Sequence, residues 1–87
     1  MSEIEIVYIG SKPISKYINA GKWVLNQEKP VRLLGRGNNI KTTVDVAEIL
    51  KRDIEKPEVF INIKSEDFED RKVSVLSIDI CGKIKSE

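Results

Sequence analysis

Residues 31–41 read VRLLGRGNNIK, a short apolar run that passes through two glycines into a polar segment. Residues 31–34 predict a strand, and Gly35-Arg36-Gly37 closes it. Asn39 is of a type favoured at helix N-caps, so we expect it to cap a helix that begins after this loop. The segment therefore predicts a strand, a glycine-containing loop and a helix in direct succession.

Downstream of the loop, apolar residues recur at helical intervals, at Ile40, Val44, Ala47, Leu50 and Ile54. They predict a second helix, which Pro57 stops. Residues 59–63 (VFINI) then predict a third strand, residues 65–70 a polar turn, and residues 73–80 (VSVLSIDI) a fourth strand. The alternation in that last strand changes phase at Val75-Leu76, which predicts a β-bulge.

Upstream of the loop, residues 4–9 (IEIVYI) predict a first strand that Gly10 stops. Pro13 falls where the first turn of a helix tolerates proline. One face of that helix carries Ile14, Tyr17, Ile18, Gly21, Val24 and Leu25. Gly21 within this stripe predicts close packing against a strand, and residues 28–30 end the helix.

The resulting order, β-α-β-α-β-β, predicts an α/β fold of the α+β two-layer sandwich type, with a four-stranded mixed sheet and two helices on one face. Residues 1–87 suffice for a single domain, and so small a domain favours a dimer that buries further apolar surface. Strands one and two are expected to be parallel neighbours. The loops at Gly10–Lys12 and Gly35–Asn39 then lie side by side, where open α/β sheets bind ligands.

Composition points to a soluble intracellular protein with a polarised charge. The net charge is +1, but residues 1–41 hold seven Lys/Arg against three Asp/Glu, and residues 42–87 hold eight against eleven. This polarity favours one basic face, although a mixed solvated surface fits the same counts. No stretch approaches the roughly 18 apolar residues of a membrane span, the N-terminus does not resemble a signal peptide, and one cysteine cannot form an internal disulfide.

The residues that usually carry catalysis are scarce. The chain has no histidine, and we expect Cys81 to be a packing residue. Asp45 and Glu48 lie three residues apart on the second helix, where pairing with Lys41 or Lys51 is the expected role. The acidic turn lacks the spacing of a calcium loop. We therefore predict no enzymatic activity, no cofactor and no metal.

The loop before the second helix suits an anion better than it suits a catalytic group. Glycines allow a phosphate to approach the backbone, the arginine can fork onto phosphate oxygens, and the asparagines can donate to phosphate or sugar. A mononucleotide site is weakly supported, because Ile40 stands where a dinucleotide fingerprint has its third glycine. A plain turn with solvated charges is the alternative. The candidate contacts are Lys12, Lys16, Arg36, Asn38, Asn39 and Lys41.

Four segments at matching separations resemble the Alba family of archaeal chromatin proteins. Residues 9–14 (IGSKPI) are similar to its IGKKPV, and residues 34–41 (LGRGNNIK) to its ARGRAIS. Residues 44–49 (VDVAEI) are similar to its AVDTVEI, and residues 25–27 (LNQ) match its LNQ. The predicted element order is also that of the family, so the resemblance covers most of the chain.

The resemblance implies a dimer that binds double-stranded DNA and RNA with little sequence preference and compacts chromatin. Lys12 and Arg36 match a lysine and the loop arginine of the family, and the hairpin of strands three and four would extend along the duplex as an arm. Arg71 and Lys72 are the candidate contacts in that arm. The expected location is cytoplasmic and chromosome-associated.

Departures from the family pattern predict weaker binding to DNA. Ser11 replaces a lysine that family members can acetylate, so that switch is not expected here. Leu34 and Asn38 replace two basic residues around the loop, and four carboxylates occupy the hairpin turn. Each lost cation removes one phosphate contact and lowers the salt dependence of binding.

Two other functions remain open from the sequence. The protein could be an RNA-binding subunit of a ribonucleoprotein, because asparagine donors suit the 2′-hydroxyls of RNA. It could also be the heterodimer partner of a more basic Alba paralogue, with Ile54 packing between dimers. The sequence does not choose between DNA and RNA, or between a homodimer and a heterodimer.

Overall fold

Residues along the central strands alternate between more buried and less buried positions, as expected for a sheet that is covered on one face. The computed structural model describes residues 3–85. Its elements are β1 (Glu5–Tyr8), α1 (Ile14–Asn26), β2 (Val31–Arg36), a 3₁₀ turn (Gly37–Asn39), α2 (Ile40–Arg52), β3 (Ile54–Phe68) and β4 (Arg71–Ile84). The strand order is β1-β2-β4-β3, with β1 and β2 parallel and the other pairs antiparallel. The predicted α+β fold with a mixed four-stranded sheet is confirmed.

Both helices cover the same face of the sheet, and the core lies between the two layers. In β2, Val31 and Leu33 point into this core, and Ile80 and Ile78 lie opposite them in β4. The helices contribute Tyr17, Val24, Leu25, Val46, Ala47 and Leu50. The alternate residues of every strand form the other face of the sheet, which no helix covers among the described residues. We call it the open face. No helix in residues 3–85 has the length and apolar character needed to cross a bilayer.

The prediction that α2 extends through Ile54 is wrong. The helix ends at Arg52, and Ile54 begins β3, where it lies opposite Ile84. Ile54 follows Leu50 by one helical turn, so its spacing is compatible with a helix. A buried apolar residue is equally compatible with a strand. Ile54 is only 2% exposed because it lies in the core, so the prediction that it packs between dimers is also wrong.

The hairpin of β3 and β4 is longer than the sequence predicted. Residues 65–68 belong to β3 rather than to a turn, and the turn consists of Glu69 and Asp70. Polar strand residues beyond the core carry no apolar alternation, so their sequence indicates a loop and not a strand. Glu69 adopts a left-handed φ of 56°, as a tight two-residue turn requires.

The predicted bulge at Val75-Leu76 is also wrong. The pairing of β3 with β4 is continuous there, and the irregularity lies between Glu55 and Glu58. The phase of the alternation changes because both faces are buried at this point. Leu76 enters the core, whereas Val75 is buried on the open face, opposite Arg36 in β2 and Lys64 in β3.

Gly21 packs against a helix, and not against a strand as predicted. A Cβ atom at this position would lie 2.6 Å from Leu50 Cδ1 of α2. The glycine therefore sets how closely α1 and α2 approach each other. Its partner was missed because a glycine in an apolar stripe marks close packing without indicating which element is packed.

Candidate nucleic-acid interface

The two predicted loops start from adjacent positions at one edge of the sheet. Tyr8 of β1 lies beside Leu34 of β2, and the backbone N–H of Ile9 donates to the carbonyl of Leu34 at 2.9 Å. Because β1 and β2 are parallel, the chain leaves both strands at the same edge. The predicted parallel pairing is confirmed, and it directs residues 10–12 and 35–39 to one end of the molecule.

Tyr17 fixes the first loop. Its ring is buried under α1, and its hydroxyl oxygen accepts hydrogen bonds from the N–H groups of Gly10 and Lys12, both at 2.9 Å. These bonds hold the backbone that carries Lys12, whose side chain is exposed, as is that of Lys16 in the first turn of α1. The sequence placed Tyr17 on the apolar helix face, but gave no signal for this role of its hydroxyl.

The second loop is set by a close approach between Gly35 and α2. Thr43 packs against Gly35, and its buried hydroxyl donates to the carbonyl of Asn39 at 2.8 Å. Gly37 has a φ of 53°, which turns the chain into the 3₁₀ segment. Asn39 occupies the predicted N-cap position, but its side chain caps nothing, because the 3₁₀ turn leads into α2 with Asn39 already in helical geometry. That amide is not used as a cap and can therefore donate to an external acceptor.

Arg36 already forms an ion pair within the protein. It ends β2 on the open face, and its Nε donates to Glu66 Oε1 at 3.0 Å, while Lys64 Nζ lies 3.6 Å from Glu66 Oε2. The hydrogen bond from Arg36 lowers the pKa of Glu66, so the carboxylate stays ionised at neutral pH. The sequence listed Glu66 only as one of four turn carboxylates, and its pairing with Arg36 was missed.

A cleft at the end of the sheet joins the second loop to the hairpin. Its volume is about 670 Å³, and it is lined by Arg36, Gly37, Asn38, Asn39, Ile40, Arg71, Lys72, Val73 and Ser74. The structure therefore brings five of the eight predicted contact residues to one surface, which we call the loop–hairpin cleft. Lys12, Lys16 and Lys41 are exposed but do not line it.

Lys41 and Lys72 form weak internal pairs. Lys41 Nζ lies 3.0 Å from Asp45 Oδ2 one helical turn away, and Lys72 Nζ lies 3.9 Å from Asp67 Oδ1. The expected pairing of the helix carboxylates is confirmed, since Lys51 also contacts Glu48. Exposed pairs of this kind contribute about 0.5 kcal/mol, so they leave the lysines available to another anion.

A second exposed surface lies on the helix side, where α2 does not fully cover β3. This apolar groove has a volume of about 530 Å³ and is lined mainly by Ile40, Val44, Ala47, Val59, Ile61, Ile63, Leu76 and Ile78. Ile61 and Ile63 are 63% and 71% exposed, although both point toward the helix layer. Branched apolar side chains left open in this way mark an interaction surface.

The fold and the site define a small α+β domain with cationic loops at one edge of its sheet. The family model described as Alba matches residues 5–66. This chain belongs to the Alba family, which confirms the resemblance seen in the sequence.

Individual relatives agree with this assignment. The chain is 40% identical over 50 residues to "DNA/RNA-binding protein Alba" of Methanothrix thermoacetophila, a match that spans 56% of this chain and 56% of that relative. It is 32% identical over 88 residues to the protein of the same name from Methanocella arvoryzae, covering 92% and 90% of the two chains. The solved structure of Alba from Thermoplasma volcanium superposes with a TM-score of 0.70 at 26% identity, covering 88% of this chain and 99% of that one.

Proposed function

We propose that this protein binds double-stranded DNA and RNA without sequence preference through the loop–hairpin cleft, as a dimer with a role in chromatin compaction. The observation that carries the proposal is the convergence of Arg36, Asn38 and Asn39 with Arg71 and Lys72 on one concave surface. Relatives covering more than half of this chain are named DNA/RNA-binding proteins, which supports the same ligand.

The chemistry of the cleft favours the nucleic-acid backbone over the bases. Arginine and lysine side chains neutralise phosphates, and amides donate to phosphate or sugar oxygens, but these contacts carry no sequence information. Lys12 and Lys16 extend the cationic surface along the same edge. The acidic hairpin tip, with Glu69 and Asp70, repels phosphates and limits the affinity of the arm.

The apolar groove on the helix side is the proposed dimer surface, and a second copy of the chain is its occupant. A domain of 87 residues buries a smaller share of its surface than a larger one does, so association adds apolar burial that the monomer lacks. Only two of the residues that line the groove are charged, Glu48 and Lys51, and they pair with each other. Such an interface leaves the loop edge and the open face of both copies exposed.

We assign no catalytic role to the chain. Burial raises the pKa of Cys81, with the Glu58 carboxylate 3.7 Å from its sulfur adding to the shift. The thiol therefore stays protonated at neutral pH and is a poor nucleophile. We place the protein in the cytoplasm, associated with the chromosome.

A second candidate function is that of an RNA-binding subunit in a ribonucleoprotein, or of the less basic half of an Alba heterodimer. Asn38 and Asn39 favour it, because both can donate to 2′-hydroxyls and Asn39 has no capping bond to give up. The ion pair between Arg36 and Glu66 also weakens the attraction for DNA.

The function is tested with the double substitution Lys12→Ala and Arg36→Ala. Fluorescence anisotropy with labelled duplex DNA and duplex RNA, at four or more salt concentrations, is expected to show a log–log salt slope reduced by about two units. Affinity at about 0.1 M salt is expected to fall roughly 10- to 100-fold. Equal losses for both duplexes indicate a general backbone site, and a larger loss for RNA favours the ribonucleoprotein function.

The matched control is Lys83→Ala with Lys85→Ala, which removes the same charge near the opposite end of β4. This variant should retain most of the salt slope. If both double variants bind like the unmodified protein, neither Lys12 nor Arg36, which lines the loop–hairpin cleft, contributes to binding, and the proposed site is wrong. If the unmodified protein binds neither duplex below about 10⁻⁴ M, the proposed function itself is wrong.

Glu66→Gln is expected to raise affinity, because it releases Arg36 for phosphate. Because Arg36 is divided between Glu66 and phosphate in the unmodified protein, its full release should raise the affinity roughly three- to tenfold at about 0.1 M salt and steepen the salt slope by less than about one unit. The same anisotropy titration measures both quantities. Glu69→Gln changes the net charge equally at the hairpin tip, where Glu69 has no ion pair among residues 3–85. Equal gains in the two variants would show that general charge, and not the release of Arg36, controls affinity.

A further inference from the structure

The open face of the sheet displays aromatic rings that the fold does not use. Tyr8 on β1 and Phe60 on β3 are each 65% exposed, and Ile6 lies beside Tyr8 on the same face. These side chains belong to neither the core nor the apolar groove, because the core and the groove lie on the helix side of the sheet. Exposed rings on a solvated sheet cost solubility unless a ligand covers them.

A cavity lies beside Phe60 on the open face. Its volume is about 270 Å³, and its lining includes Arg32, Leu34, Phe60, Asn62, Ser77 and Asp79. This space is too small for a peptide segment and suits one planar heterocycle with part of its sugar. Apolar and polar groups alternate along the lining, so a flat ligand finds both a stacking surface and hydrogen-bond partners.

Arg32 supplies a flat cationic surface in this cavity. Its Nε donates to Asp79 Oδ1 at 2.7 Å and its Nη2 donates to Asp79 Oδ2 at 2.9 Å. The fork fixes the plane of the guanidinium and uses the donors on one edge, and the side chain, which is 38% exposed, lines the cavity. Nucleobases stack on such guanidinium planes as well as on aromatic rings.

The spacing of these planar groups suits an extended strand. Arg32 lies opposite Asp79, and Asp79 lies opposite Phe60, so Arg32 and Phe60 are two strand spacings apart, about 10 Å. Tyr8 stands on the other side of Arg32, one strand away and two residues along. Bases of a single strand can therefore use the three groups in turn.

Polar and cationic groups complete the surface. Asn62 and Ser77 lie opposite each other beside the cavity, where their side chains can reach the edges of a base. Lys64 and Arg36 follow on the same face, opposite Val75 from its two sides, and lead into the loop–hairpin cleft. Cations on one side of a stacking surface match a strand whose phosphates run along the loop edge.

From these contacts we propose that the open face binds unpaired bases of single-stranded nucleic acid, with one base stacked on Phe60 in the cavity that Arg32 also lines and the phosphates directed toward Lys64 and Arg36. A duplex cannot use this surface, since its bases are stacked inside the helix. The inference rests on the proposed function, whose backbone contacts it extends to bases.

The experiment compares Phe60→Ala and Tyr8→Ala with the unmodified protein. The probes are a labelled 12-nucleotide oligoadenylate in RNA and DNA form and a 20-base-pair duplex, measured by anisotropy. Each loss of a ring is expected to lower single-strand affinity about five- to a hundredfold, and to leave duplex affinity within twofold. Phe60→Tyr keeps a ring in place and should retain single-strand affinity. The RNA and DNA probes show which single strand is preferred.

A direct readout of stacking accompanies the affinities. An RNA probe with 2-aminopurine at its centre should lose fluorescence on binding, and this quenching should disappear in Phe60→Ala but persist in Phe60→Tyr. Circular dichroism confirms that the variants fold, which is expected because both rings are exposed.

Three outcomes distinguish a failure of this inference from a failure of the proposed function. If duplex binding responds to Lys12→Ala with Arg36→Ala while single-strand affinity is unchanged in every ring variant, the open face does not bind bases and only this inference fails. If loss of a ring lowers single-strand and duplex affinity equally, the rings support the fold and the inference also fails. If the unmodified protein binds neither probe, the proposed function fails with it.

Discussion

Gly35→Ala is expected to lower the free energy of unfolding by about 3 kcal/mol. A Cβ atom here would overlap Thr43 Oγ1 and lie 3.0 Å from the carbonyl oxygen of Asn39. Neither neighbour can easily move, because Thr43 is fully buried and its hydroxyl is bonded to that same carbonyl. Relief requires α2 to shift away from β2, which opens the core. Urea denaturation followed by circular dichroism measures the loss.

Two variants test this explanation. Gly10→Ala places a Cβ atom 3.4 Å from the Tyr17 hydroxyl, an ordinary contact, so it should cost less than about 1 kcal/mol. Thr43→Ala removes the overlapping oxygen, so the double variant with Gly35→Ala should be more stable than the sum of the two single losses predicts. Full stability of Gly35→Ala alone would mean that the close approach does not constrain the loop.

Ile63→Asp is expected to convert the proposed dimer to a monomer. In a two-fold interface both copies carry the change, and each buries an unpaired carboxylate at a cost of several kcal/mol. The dissociation constant should therefore rise at least about a thousandfold. Sedimentation equilibrium over a range of protein concentrations measures it. The folded monomer should persist, because this side chain is largely exposed within one copy.

Asn62→Asp is the matched control, since it adds the same charge on the neighbouring residue of β3 but on the open face. This variant should dimerise normally. Dissociation by Asn62→Asp alone would place the dimer surface on the open face, and dissociation by both variants would show that added charge on β3, and not burial in the groove, weakens the dimer. A dimer that survives Ile63→Asp would exclude the apolar groove as the interface.

The sequence predicts the order of elements because each one carries a local pattern. The apolar stripe of α1 and the alternation in β2 specify their type without reference to the rest of the chain. The end of α2 could not be predicted in this way, since Ile54 fits a helix by its spacing and becomes a strand residue only through pairing with Ile84. Similarly, the partner of Gly21 depends on how the two helices pack.

The positions of candidate site residues could be predicted where the pairing of strands in the sheet determines them. They could not be predicted where they depend on the length of the hairpin. Parallel strands bring Lys12 and Arg36 to one edge, and this could be inferred from the order of elements. Glu66 reaches Arg36 across 30 residues only because β3 extends to Phe68 in a fixed register with β4. The sequence also did not show which residues of β3 lie on the open face. Residues 59–63 are apolar on nearly every position, so the alternation did not reveal which side the helices cover.

The strand β3 carries two unrelated surfaces on alternate residues, with the apolar groove on one side and the rings and cavity on the other. Deleting one residue within it would exchange the two surfaces, turning Phe60 toward α2 and Ile61 toward solvent. Length changes in this strand are therefore tolerable only in steps of two residues, or at its tip beyond Phe68. In related sequences, the parity of the spacing between β3 and the hairpin turn should vary far less than its length.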